Sequence, residues 1–307
     1  MRSKTRLLII TGPTGIRKSD LAMKLISEFG GEIISADSMQ VYRFMDIGTA
    51  KPTADDQIRV KHHLIDLVDP DETFSAAQYS DRARKIIDEL SGGGRTPWVV
   101  GGSGLYIRAL VGGLVKGPGT SENLRNRYRL LVEERGRACL YDMLRERDPA
   151  AAKRIHPNDA VRLMRALEVL ELSGESIVSR QEKHRFADEP YEYLKIGLME
   201  ERERLLDKID SRCNTMIERG LIGEVRDLMR MGFDEPLKSM QSLGYKHMLR
   251  YIKGMSSFEE ALFMMKRDTR SYAKRQMTWF RADSAINWFR PEEFDSMKRM
   301  IRAFLDS

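Results

Sequence analysis

Leu7-Leu8-Ile9-Ile10-Thr11-Gly12-Pro13-Thr14-Gly15-Ile16-Arg17-Lys18-Ser19 reads as a buried strand running into a glycine loop and then into a helix. The unbroken apolar run is what a strand covered on both faces looks like, and the Leu21, Leu25, Ile26 spacing that follows has the helical period. The loop nearly matches G-x-x-x-x-G-K-[ST]. In that pattern backbone N–H groups and a helix N-terminus wrap a diphosphate, the lysine neutralises it and the hydroxyl reaches Mg²⁺. Gly12, Pro13, Thr14, Gly15, Ile16, Arg17, Lys18 and Ser19 are therefore the expected diphosphate-binding residues, with Ser19 as the metal contact. The departure is Arg17, which stands where the second glycine belongs and puts a charged side chain where close backbone approach is wanted.

Working outward, short apolar runs recur at Glu32 to Ser35, His63 to Val68, Pro97 to Val100 and Tyr193 to Leu198, several with helical patterns between them. They predict an α/β fold, a parallel sheet flanked by helices. Glycines punctuate the chain at Gly101-Gly102-Ser103-Gly104, Gly112-Gly113 and Gly117-Pro118-Gly119, after which its character changes. From Asn123 to about Ser173 it is Arg/Glu/Leu-rich and helical with no strand signal, and roughly the last hundred residues also read as helical. The expected organisation is a P-loop-like core of residues 1–118 and 190–307 with a helical C-terminal region, interrupted by an all-helical insertion at 119–189.

Composition bounds the function. The chain has 307 residues, 41% of them apolar, enough for a proper core, and its apolar runs are too short to cross a bilayer. Neither a membrane anchor nor a signal peptide is expected. Cys139 and Cys213 lie far apart without C-x-x-C spacing, which argues against a zinc site or a disulfide framework and for a reducing cytoplasm. His62, His63 and His156 lack metal-ligand spacing and are assigned structural roles. The net charge of +6 permits a polyanionic partner. Between Lys266 and Arg281, a helix would place Arg267, Arg270, Lys274 and Arg281 on one face and Tyr272, Gln276 and Trp279 on another. That is either a solvated basic face over an aromatic core stripe or a phosphate contact.

Asp37 ends the second apparent strand, and in an open α/β sheet the carboxyl ends of strands line the ligand crevice, so it suits a general base, a metal partner or a plain turn former. The fourth strand ends in Gly101-Gly102-Ser103-Gly104 where a nucleotide hydrolase would place an acid to hold Mg²⁺ and position water. The cradle therefore suits a leaving group better than ATP hydrolysis, with Ser103 available to a second substrate.

These blocks together resemble the tRNA dimethylallyltransferases, also called tRNA isopentenyltransferases, nearly end to end. The resemblance is carried by Asp37-Ser38-Met39-Gln40-Val41-Tyr42-Arg43, Asp46 to Pro52, His62 to Asp66, Gly101 to Tyr106, Arg154 to Asp159, and Thr269 to Arg281. It implies transfer of a dimethylallyl group from dimethylallyl diphosphate to N6 of the adenine 3′-adjacent to the anticodon, on a base flipped out of the tRNA anticodon stem-loop. By that resemblance Asp37 is the base that takes the N6 proton. Ser103 replaces a family threonine and keeps its hydroxyl. Lys18 and Arg212 stabilise the departing diphosphate together with Mg²⁺ near Ser19. It also implies tRNA contacts at Asp37, Ser38, Met39, Gln40 and Ser103, at Arg125, and at Val161, Arg162, Leu163, Met164 and Arg165. A cytoplasmic monomer is expected. Alternatives are an adenylate isopentenyltransferase using a free nucleotide, a tRNA-binding relative impaired by Arg17, and an ATP-using kinase.

Overall fold

The computed structural model describes residues 4–114, 117–184 and 190–307. The chain divides into two compact units, Met1–Val111 with Glu189–Ser307, and Gly112–Asp188. The second unit thus starts before the change of composition at Gly119, and the expected boundary at residue 189 lies outside the described residues.

The chain enters the first unit through β1 (Thr5–Thr11), α1 (Lys18–Phe29), β2 (Glu32–Ser35), α2 (Ala54–Arg59), β3 (His62–His63), α3 (Ala76–Gly92), β4 (Pro97–Gly101) and α4 (Gly104–Gly112). The inserted unit holds α5 (Glu122–Arg135), α6 (Ala138–Arg147), α7 (Pro149–Ala152), α8 (Ala160–Ser173) and α9 (Ile177–His184). The first unit then resumes with β5 (Tyr191–Leu198), α10 (Arg202–Glu218), α11 (Leu221–Arg230), α12 (Tyr245–Ile252), α13 (Phe258–Arg281), β6 (Ile286–Phe289) and α14 (Phe294–Asp306).

The strands form one six-stranded parallel sheet in the order β3-β2-β4-β1-β5-β6. β1 is interior to it, and its period-2 alternation explains why the run is apolar throughout. Leu7 and Ile9 face a core with Tyr79 of α3, Ile209 of α10, Val225 of α11 and Phe280 of α13. Leu8 and Ile10 face the other core, with Leu21 and Leu25 of α1 and Met297 and Ile301 of α14. Capping residues start several helices: Thr53 with Asp56 opens α2, Ser75 with Gln78 opens α3 and Ser257 caps α13. The inserted unit has its own core of Tyr128, Leu140, Leu144, Leu163 and Leu167.

Two strand expectations are corrected. The run from His63 to Val68 yields only the short β3, because Leu64 (φ 62°) and Asp66 (φ 52°) turn the backbone left-handed and take it out of the sheet. The C-terminal region is not wholly helical either: Ile286-Asn287-Trp288-Phe289 adds β6 to the edge beside β5. With only Ile286 and Phe289 buried, that strand is too short to imprint a period, although its branched and aromatic residues are strand formers.

Candidate active site

The expected residues of the first unit gather at the carboxyl ends of β1, β2 and β4. Ala36 N donates to Val100 O at 2.8 Å and Ser103 N donates to Ala36 O at 3.0 Å, which stitches the loop after β2 to the loop after β4. The approach is close enough that a Cβ on Gly101 would lie 2.1 Å from Ala36 O, so only glycine fits there. Beyond this stitch Ser103 Oγ accepts from Ser38 N at 3.0 Å, and Asp37 Oδ1 accepts from Met39 N at 2.8 Å in an Asx turn. The carboxylate and the hydroxyl are both held by backbone N–H groups, and the Ser103 proton is left to donate elsewhere.

A cavity of about 980 Å³ opens beside them, lined among others by Gly15, Lys18, Asp37, Arg212, Tyr272 and Gln276. On its loop side α1 begins at Lys18 without a side-chain cap among the described residues, so its first N–H groups are available to an anion. Arg17 is exposed at the rim and takes φ 59°, ψ 44°, the left-handed conformation that glycine adopts without steric cost. The substitution thus preserves the backbone turn that the second glycine of the pattern provides. Ile16, by contrast, is buried in the core beneath the loop, and only its backbone can serve a ligand.

The lining is mixed in charge: Asp20, Asp37, Asp56 and Asp207 share it with lysines and arginines, and Asp37 is the acid whose charge acts on Lys18, Arg212 and Tyr272 alike. The Lys18 ammonium donates to Pro13 O at 2.8 Å, and burial, followed by the nearby Arg212 charge, pulls its pKa down to about 8 against the opposing pull of Asp37. Burial also lowers Arg212, again opposed by Asp37. Tyr272 is pushed up to about 12 by burial and then by the Asp37 charge, so its hydroxyl stays protonated. Such an arrangement can cradle a diphosphate, receive charge that develops on it and take up a proton a short way off.

Gln40 is occupied internally: its Nε2 donates to Thr49 O and Ala50 O at 3.4 and 3.1 Å, and its Oε1 accepts from Ser35 Oγ at 2.9 Å. The loop it braces is pinned from behind by Glu224. That carboxylate accepts from the N–H groups of Asp46, Ile47 and Gly48 at 2.9, 2.7 and 3.2 Å and from the Tyr245 hydroxyl at 2.5 Å. Lys51, buried behind the same loop, joins Asp46 and Asp66 at 2.5 and 2.6 Å. Sequence reasoning missed Glu224 altogether and saw Gln276 and Tyr272 only as part of a stripe; polar residues on that stripe were the available signal.

The remaining expected residues lie in the inserted unit. Val161 and Arg162 are exposed and Met164 is half-buried, but Leu163 is fully buried in that unit's core and cannot reach a surface partner. Arg125 and Arg165 converge on the buried Glu168, at 3.1 and 2.5 Å, and Arg165 also donates to Gly119 O and Pro118 O.

The family model described as IPP transferase matches residues 40–283. A protein from Syntrophus aciditrophicus named tRNA dimethylallyltransferase 2 is 53% identical over 98% of this chain and 97% of its own length. The tRNA dimethylallyltransferase of Geobacter sulfurreducens is 48% identical over 98% and 97%. Among solved structures, the tRNA isopentenylpyrophosphate transferase of Bacillus halodurans aligns with a TM-score of 0.74 at 40% identity, covering 99% of this chain and 97% of that one. A eukaryotic dimethylallyltransferase acting on tRNA aligns at 0.79 and 26% identity, over 94% and 74%.

Proposed function

This chain belongs to the IPP transferase family, and from that premise we propose that it transfers a dimethylallyl group from dimethylallyl diphosphate to N6 of the adenine 3′-adjacent to the anticodon of tRNA. The observation that carries the reading at the level of chemistry is a cavity that holds Asp37, Lys18 and Arg212 together. Asp37 acts across this cavity on Lys18 and Arg212, as a displacement needs when it releases a proton from the attacking amine and charge onto the leaving group.

In this reading the 12–19 loop and the start of α1 hold the diphosphate. The adenine amine attacks the allylic carbon, the carbon–oxygen bond breaks, and the electron pair leaves with the diphosphate. Asp37 takes the N6 proton on the carboxylate oriented by Met39 N–H, and the Ser103 hydroxyl donates to the base or the diphosphate. Lys18 and Arg212 answer the charge on the departing diphosphate. Among the described residues no group of three or more His, Cys, Asp or Glu forms a metal cage. The Ser19 hydroxyl would instead hold a Mg²⁺ ion at the cradle, and when bound that ion would neutralise phosphate charge.

For the tRNA anticodon stem-loop, the reading assigns contacts to the Asp37–Gln40 backbone and to Val161, Arg162 and Met164, with Arg125 and Arg165 acting through Glu168. A monomer working in the cytoplasm completes it; among the described residues no helix is long and apolar enough to cross a membrane. The test is incubation with unmodified tRNA, Mg²⁺ and labelled dimethylallyl diphosphate, followed by nucleoside analysis. Label on adenine N6 that disappears in Asp37→Ala supports the assignment. Label on free AMP in preference to tRNA, or none at all, overturns it.

A further inference from the structure

Gln276 sits on α13, 7% exposed, with its amide spread between two loops that come from different strands. Its Oε1 accepts from Thr14 N at 2.9 Å, in the loop after β1, and its Nε2 donates to Gly102 O at 2.9 Å, in the loop after β4. The fit is tight: a Cβ on Gly102 would lie 2.4 Å from Gln276 Nε2. The β1–β4 ladder ends just before both loops, at Thr11 opposite Gly101, where Thr11 Oγ1 also donates to Gly101 O at 3.1 Å, and Gln276 carries the tie beyond it to Thr14 and Gly102. On one side Thr14 leads directly into Lys18 and the start of α1; on the other Gly102 precedes Ser103 and, through Ser38, Asp37.

We propose that Gln276 is a positioning residue that sets the distance between the diphosphate cradle and the Ser103–Asp37 side of the site, and so the distance across which the two substrates react. The inference rests on the transferase reading above. An amide suits the task because it offers an acceptor and a donor on one rigid plane, where a hydroxyl or an ammonium could not satisfy both loops at these distances. Loss of the bridge leaves a part-buried N–H and a buried carbonyl without this partner, and the two loops are then free to relax beyond the end of the ladder. A shift on the order of 1 Å between reacting groups can slow a reaction about 100-fold.

The test compares the full-length protein with Gln276→Leu and Gln276→Glu. Gln276→Leu is expected to lower kcat for prenyl transfer about 100-fold. It is also expected to raise KM for dimethylallyl diphosphate, with the circular dichroism spectrum unchanged. Gln276→Glu separates positioning from folding. As a carboxylate it opposes Gly102 O, but protonated it restores both hydrogen bonds, so its activity relative to wild type should recover as pH falls. Taking that ratio divides out the pH dependence that both enzymes share through the other charged and polar groups of the cavity, which include Lys18, Asp20, Asp37, Asp207, Arg212 and Tyr272. A Gln276→Leu enzyme with wild-type kcat and KM, or a Gln276→Glu ratio that is flat with pH, overturns the proposal, and the second result decides if the leucine variant fails to fold. Wild-type protein that transfers no prenyl group at all would instead refute the underlying reading.

Discussion

Arg17 holds a left-handed backbone that costs an L-residue about 1–2 kcal/mol, partly offset by the extra freedom a glycine has in the unfolded chain. Arg17→Gly is therefore expected to stabilise the protein by about 0.5–1 kcal/mol in denaturant unfolding. Because the side chain is exposed at the rim, its removal should leave KM for dimethylallyl diphosphate within about threefold, as a long cation in water contributes little. Lys18 behaves differently. Its ammonium, held down to about 8 from an ordinary 10.5, is fully charged below that pH and neutral above it. Affinity for the prenyl diphosphate should then fall as pH rises through 8, and the fall should vanish in Lys18→Arg, read as KM between about pH 7 and 9.5. For folding the sign is the reverse of a salt-bridged lysine: the folded state bears the cost of the buried charge below pH 8 and sheds it between 8 and 10.5. Asp37, Ser103 and Lys18 were legible in the sequence because each ends a strand or opens a helix, where local pattern fixes place. Gln276 and Glu224 were not, because their partners lie in other elements and no spacing rule links residue 276 to residue 14.

α11 acts as a splint for the loop that walls the cavity, since Glu224 collects the N–H groups of Asp46, Ile47 and Gly48 on one carboxylate. Glu224→Ala leaves these donors without their partner, and hydrogen bonds to a charged group contribute about 1.5–3 kcal/mol. The expected result is loss of about 2 kcal/mol of stability together with faster amide hydrogen exchange at residues 46–48; unchanged exchange there would show that the loop holds itself. In the inserted unit Glu168 does the equivalent for α5 and α8. Burial pushes its pKa up, but the Arg165 guanidinium, the Ser121 N–H and the Arg125 guanidinium outweigh that and hold it below the usual 4.5. Its contribution is therefore present above pH 4.5 and lost as pH falls further, so this unit should loosen on acidification. Glu168→Ala leaves two half-buried guanidiniums and the Ser121 N–H without their shared acceptor, and the expected loss is about 1.5–3 kcal/mol, to be read from thermal unfolding. The sequence placed the helices of this unit, and the resemblance assigned Arg125 and Arg165 to tRNA, but their shared acid was not legible, because a basic residue on a helix gives no sign of a buried acid on another one.

At the scale of the whole molecule, a net charge of +6 and a polyanionic partner make association salt-dependent. KM for tRNA should climb steeply between about 50 and 200 mM salt, well beyond the change in KM for dimethylallyl diphosphate, a small molecule that carries few charges. Equal dependence would place the nucleic-acid contacts elsewhere than on basic surface. The architecture was readable where apolar runs were long, as in β1 and β5, and unreadable where a strand borrowed its order from a neighbour, as in β6. The strand order also bears on how the chain is made. β1 lies between β4 and β5, and β5 follows the inserted helical unit, so one flank of β1 stays unpaired during synthesis from Thr11 until Tyr191 emerges. At translation rates of about 5–20 residues per second this leaves an apolar strand edge open on the order of ten seconds or more. The inserted unit, contiguous in sequence and with its own core, is complete before that edge closes. A nascent chain stalled before residue 191 would accordingly present chaperones with a finished helical unit tethered to an open sheet.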